Sequence, residues 1–170
     1  MANEKFVQQI EKDFSAGVKH NKRSVDKLAS SFGITDNTLI KELTELAIVN
    51  VSRRIAYEKI SVKSRYEKIV ALYNLQPNLS HRTSQSISLQ QYSTPAPIAF
   101  LMGEFIKKEG DFRIYFEPTA GNGLLTIALP AKNFVVNELD EVRLQNLRKH
   151  GYDSVTSKDA SKEFLEIKSY

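Results

Sequence analysis

The chain has 170 residues, is 41% hydrophobic, and carries a net charge of +4 at a mean hydropathy of -0.35. That content supports a packed core. It leaves no apolar run near the roughly 20 residues of a membrane span, and the Met1-to-Lys5 start lacks a signal-peptide apolar region. With no cysteine, disulfides and thiolate metal sites are excluded and a cytoplasmic setting fits; His20, His81 and His150 are too scattered for metal-ligand spacing. Residues 1–80 hold 13 Lys and Arg against 9 Asp and Glu, whereas residues 81–170 hold 11 against 11. The excess sits in the first half, where it suits a polyanion or simply a solvated surface.

In chain order, Phe6, Val7, Ile10 and Phe14 fall at helical spacing and predict an amphipathic helix over residues 3–15. Ser24 is placed to cap a second helix, with Asp26 in its first turn and a stop at Gly33. Asp36 or Thr35 caps a third, carrying Leu39, Ile40, Leu43, Leu46 and Ala47 towards Tyr57. Residues 24–46 have helix-turn-helix spacing: Ala29 permits close helix crossing and Gly33 a tight turn. Asp36, Asn37, Thr38 and Lys41 would then face a DNA groove, although an acid at 36 would oppose phosphates. Residues 64–75 predict a further helix with Ile69, Leu72, Tyr73 and Leu75 inward, ended by Pro77. A polar stretch over 80–89 then separates a helical region, 1–79, from an α/β region, 90–170.

The second region begins with Gln91-Tyr92-Ser93-Thr94-Pro95 and a helix over 98–106, for which Thr94 is a candidate cap and Pro95 a first-turn residue. Ile114 to Phe116 reads as a strand ending at Glu117. A turn, Pro118-Thr119-Ala120-Gly121-Asn122-Gly123, leads to an apolar stretch over 124–129 that reads as helix. Asn122-Gly123 suits a hairpin, but that apolar stretch favours strand–loop–helix. Phe134 to Val136 gives a second strand, ending at Glu138, whose carboxylate can accept both hydroxyls of a ribose. Asp140 is placed to cap a helix over 141–150 that stops at Gly151. A third strand, Ser154 to Ser157, leads to Asp159, which can meet an adenine amino group or cap a helix over 161–167. Strand, glycine turn, helix, strand, acid is the order of a nucleotide-type half-site. Thr126, however, stands where the dinucleotide fingerprint has its third glycine.

Together these segments resemble the S-adenosylmethionine-binding half of the adenine-specific (N-6) DNA methyltransferases, as found in large methylase-like proteins of bacterial mobile elements. The resemblance spans about residues 90–160. It implies a helical N-terminal region followed by a partial Rossmann-like sheet of about three parallel strands. It also implies cofactor contacts from Tyr92, Thr94 and Pro95 at the methionine end. Glu117, Thr119, Ala120, Gly121 and Gly123 would serve the aminoacyl group, Glu138 the ribose and Asp159 the adenine. DNA would be engaged through the parent protein, in modification or restriction.

The family's Asn/Asp-Pro-Pro-Tyr/Phe motif, which holds a flipped base, has no counterpart in these 170 residues. The expectation is therefore a truncated methyltransferase that binds its cofactor without transferring the methyl group and has no catalytic residue of its own. The alternative is a helix-turn-helix DNA-binding or regulatory protein with a vestigial α/β half. The edge along Arg113 to Phe116 is expected to be covered by the N-terminal helices or to self-associate.

Overall fold

The computed structural model describes residues 1–78, 93–110 and 114–162. The linker over 80–89, Tyr92, Arg113 and most of the helix expected over 161–167 lie outside them. Among the described residues are six α-helices and a three-stranded parallel sheet, an α/β arrangement. None of these helices is long and apolar enough to cross a membrane.

Helix α1 (Ala2–Ser15) buries Phe6, Val7, Ile10 and Phe14, the stripe its spacing predicts. Helix α2 (Lys22–Ser31) starts before Ser24: Asn21 is its cap, accepting from Ser24 N–H, while the Ser24 side chain returns to the Asn21 backbone. Ser24 is thus the third residue of a capping box. Gly33 ends this segment at φ 76°, and Asp36 caps α3 (Asn37–Ala56) by accepting from Leu39 N–H at 2.7 Å.

Helix α3 is the centre of the molecule. Every residue from Glu42 to Val49 is buried, so it has no continuous solvent face there. Helices α1, α2 and α4 (Val62–Leu75) pack around it, and α5 (Ala96–Glu109) and α6 (Glu141–Leu147) touch it as well. Tyr73 of α4 is 40% exposed rather than inward, because the buried stripe of that helix is Ile69 and Leu72. Helix α5 begins at Ala96, earlier than its two prolines suggest. Pro95 is the N-cap residue and Pro97 sits in the first turn, where a missing N–H costs nothing. Thr94 makes no capping bond there.

Strand β1 (Tyr115–Glu117) pairs in parallel with β2 (Phe134–Asn137), and β2 with β3 (Ser154–Thr156), giving the order β1-β2-β3. Glu117 stands opposite Val136, and Asn137 opposite Thr156. The apolar stretch after Gly123 does not form an α-helix. A single 3-10 turn, Leu124–Thr126, replaces it, and a second, Ala131–Asn133, follows Pro130. Unlike the equally short α6, this run has no side-chain cap: Gly123 leads it and Pro130 closes it. Among the described residues the N-terminal helices pack chiefly on α5 and α6, and along β1 Ile114 and Phe116 are 44% and 39% exposed.

One apolar core runs from Phe6 and Ile10 through Ile48, Val49 and Ile69 to Phe100, Ile127 and Ala128, crossing from the helical region into the α/β region. Each such side chain contributes roughly 1.5–3 kcal/mol by leaving water. A smaller cluster of Ala120, Leu129, Phe134, Val136 and Leu147 lies against the sheet. Arg53 of α3 joins the two halves, donating to Thr126 Oγ1 at 2.7 Å and Tyr152 Oη at 2.8 Å.

Two predictions follow from this packing. A Cβ at Gly103 would sit 2.6 Å from the Ala128 Cβ. Gly103→Ala should gain about 1 kcal/mol of helix propensity and lose about 1–3 kcal/mol to overpacking. Net destabilisation is expected in urea unfolding, and a more stable variant would refute the close approach. The second concerns His150, which burial and then the charges of Arg53 and Lys149 pull down to about 4. The unfolded imidazole titrates near 6.5, so the unfolded chain binds the proton more readily. Its contribution to stability is complete above about pH 6.5 and lost as pH falls towards 4. His150→Gln should flatten that part of the melting-temperature profile; an unaltered slope would exclude the residue.

Candidate functional site

Parallel strands place their following loops at one end of the sheet, and here those loops surround a cavity of about 660 Å³. Pro118 to Gly121 follow β1, Asn137 to Leu139 close β2, and Lys158 to Ser161 follow β3; all line it. Ser93 and Thr94 ahead of α5, Leu124 and Leu125 of the first 3-10 turn, Glu45 of α3 and Arg143 of α6 complete the described wall.

The loops are tied to one another by side chains at the end of β2. The Asn137 amide donates to the carbonyls of Pro118 at 3.0 Å and Lys158 at 2.8 Å. Its oxygen accepts from Lys158 N–H and the Thr156 hydroxyl, each at 2.8 Å. Glu138 is 8% exposed; one carboxylate oxygen accepts from Gly121 N–H and the other from Asp140 N–H, both at 2.8 Å. The glycine loop is thus held from across the sheet by the acid at the next strand's end. Gly121 and Gly123 have φ of 58° and 95°, where side chains are strained, and a Cβ at Gly123 would collide with the Tyr152 hydroxyl.

Beneath the loop lies a buried polar network. Glu42, 1% exposed on α3, accepts from Arg143 Nε at 2.7 Å, from Arg143 Nη2 at 3.3 Å and from the Asn122 amide at 2.7 Å. Asn122 in turn accepts from Asn146 at 2.9 Å. Burial pulls the Arg143 guanidinium down, but the bonds and charge of Glu42, with Glu45 and Glu138 nearby, outweigh it and raise it. Arg143 is therefore a fixed cation.

Among the residues singled out from sequence, Thr94, Thr119, Ala120, Gly121, Glu138 and Asp159 meet at the cavity. Pro95 caps α5, Gly123 packs on Tyr152, and Tyr92 lies outside the described residues. Glu117 turns onto its own loop, accepting from Thr119 N–H at 3.1 Å and its hydroxyl at 3.3 Å, and does not line the described wall. Asp159 accepts from Ser161 N–H at 3.0 Å and its hydroxyl at 2.7 Å, which lowers its carboxyl; this is a local turn at the cavity rim, and the helix it was expected to cap lies almost wholly outside the described residues. Asp140 caps α6, accepting from Arg143 N–H at 3.1 Å.

Sequence reasoning missed Glu42, Glu45, Asn122, Asn137 and Arg143. The available signals were slight: an asparagine between two glycines, and another directly before the strand-end acid.

The fold and site define an α/β protein whose parallel sheet carries a polar cavity at its carboxyl edge. No family model, curated protein or solved structure matches the chain at a significant level.

Removing one member of a buried ion pair leaves the other uncompensated, at about 3–5 kcal/mol. Glu42→Ala should lose stability on that scale in urea unfolding. The double variant Glu42→Leu/Arg143→Met should lose less than the single one. A surface-like change below about 0.5 kcal/mol for Glu42→Ala would show that the pair is not closed in solution.

Proposed function

We propose that residues 1–170 form the S-adenosylmethionine-binding part of an adenine-specific DNA methyltransferase, a partial Rossmann-like unit with helices at its N-terminal side. The observation that carries this reading is the convergence of four separated motifs on one cavity. Thr94, Thr119 to Gly121, Glu138 and Asp159 line it together, at the carboxyl ends of parallel strands. Open parallel sheets bind nucleotide-type ligands at that edge, and about 660 Å³ suits a small-molecule site.

On this reading the glycine loop approaches the ligand with its backbone, and Glu138 supplies the ribose contact. A carboxylate has about four acceptor positions; the two N–H bonds Glu138 already makes leave capacity for hydroxyls and fix its orientation. Asp159 lies at the adenine end and Thr94 at the methionine end, with Tyr92 assigned there by the motif alone. Glu117 shapes the loop through Thr119. Residues 1–170 contain no Asn/Asp-Pro-Pro-Tyr/Phe segment, so these residues are expected to hold the methyl donor without transferring the methyl group, with DNA engaged by the parent protein.

The helix-turn-helix alternative requires the second helix of the pair to present a face to a groove. Asp36 and Asn37 are exposed and Thr38 and Lys41 half-buried, but Glu42 to Val49 behind them are buried, which leaves only the start of α3 to meet a groove.

Titration calorimetry with S-adenosylmethionine, S-adenosylhomocysteine and NAD tests the proposal. Binding of the two adenosyl ligands and not NAD is expected. Glu138→Ala should weaken both by about ten- to a hundredfold, the scale of hydrogen bonds to a charged group. Absence of heat with either adenosyl ligand would refute the cofactor, and undiminished affinity in the variant would refute the ribose contact. Salt-dependent binding of duplex DNA by the full chain would favour the alternative.

A further inference from the structure

We propose that Glu45, reaching the cavity from α3, is a ligand-binding carboxylate that takes the ammonium group of the bound molecule. This rests on the reading of the cavity as an S-adenosylmethionine site and adds a subsite outside the motifs that suggested that reading.

Glu45 is 3% exposed and lines the cavity opposite the loops that follow the strands. Its Oε1 accepts from the Ser93 hydroxyl at 2.7 Å, while its Oε2 is buried and has no hydrogen-bond partner among the described residues. A buried carboxylate oxygen in that condition is costly unless a donor or cation meets it. The nearby cations are engaged elsewhere: Arg143 places Nε and Nη2 on Glu42, and Lys41 Nζ lies 3.6 Å from Glu42 Oε1. Glu42, one turn earlier on the same helix, adds a like charge. Burial and then that charge push the Glu45 carboxyl above its usual range, and an arriving cation would reverse the effect.

Each of the other two acids of the wall already accepts from the protein. Glu138 has both oxygens on backbone N–H groups, and Asp159 is bound to Ser161. Glu117, the acid the motif assigns to the aminoacyl end, is folded onto Thr119. The described wall bears three carboxylates, Glu45, Glu138 and Asp159, against Arg143 and Lys158, a balance that favours a cationic group. An ammonium is compact and offers three donors. With Ser93 on Oε1, Oε2 is the oxygen left for it, and the adjoining Thr94, assigned to the methionine end, lines the same cavity.

The test uses the full chain and two probes in calorimetry. One is S-adenosylhomocysteine; the other is S-adenosyl-4-thiobutyrate, the same molecule without its amine. Wild-type protein should bind the first about tenfold or more tightly than the second, as a charge-assisted bond requires. Glu45→Gln keeps the shape and the acceptor for Ser93. It should lose about ten- to a hundredfold towards S-adenosylhomocysteine and leave the amine-free probe unchanged. Wild-type affinity for S-adenosylhomocysteine in Glu45→Gln would overturn the subsite while the cofactor reading stands. Failure of wild-type protein to bind either probe would overturn both. If Glu45→Gln does not fold, the two probes on wild-type protein decide, because equal affinities exclude an ammonium contact.

Discussion

The rest of the structure depends on the ion pair between Glu42 and Arg143. Both partners are almost fully buried, and the carboxylate binds the guanidinium and Asn122 at once. Ions of this kind are stable away from water when geometry and hydrogen bonding replace hydration. That requirement locks three segments in register: α3 supplies the acid, α6 the base, and the glycine loop the amide. Apolar packing alone would tolerate sliding of α3 against the sheet; a two-point guanidinium contact is directional. The helical region is therefore a wall of the cavity as much as a neighbour of it.

The same pair sets the electrostatics above it. The Arg143 guanidinium charge offsets part of the burial and like-charge cost at Glu45, whose carboxyl still lies above its usual range. Glu138 solves its own burial with two backbone N–H donors. Glu45 does so by half, through Ser93. Each oxygen of Glu138 has one protein donor, whereas Glu45 Oε2 has none among the described residues, and within one cavity that contrast marks Glu45 as the acid with a whole oxygen left for a cation.

Much of the outline was legible in the residues. The stripe of Phe6, Val7, Ile10 and Phe14, the caps at Asp36 and Asp140, and the strands ending at Glu117 and Glu138 all depend on local chemistry, which a linear reading can weigh. Gly121 and Gly123 were legible because left-handed backbone in a tight turn leaves few alternatives to glycine. The helix expected after Gly123 was not found, since apolar content does not show whether a segment has a cap, and Gly123 supplies none. Glu42 and Glu45 escaped because a charged residue on a helix is ordinarily a solvent-facing one. Their burial depends on α3 being enclosed on all sides, a property of the whole assembly and of no sequence window. The Arg143 partnership spans 101 positions, and no periodicity encodes it.

Asn137 has a consequence for both loops. A single side chain bonds the backbone that follows β1, the backbone that follows β3 and the hydroxyl of Thr156. A loop that leaves must break its own bonds to this amide, one for Pro118 and two for the Lys158 backbone. Losing the Asn137 side chain would release all of them at once, so a single position at the end of β2 reaches both sides of the cavity.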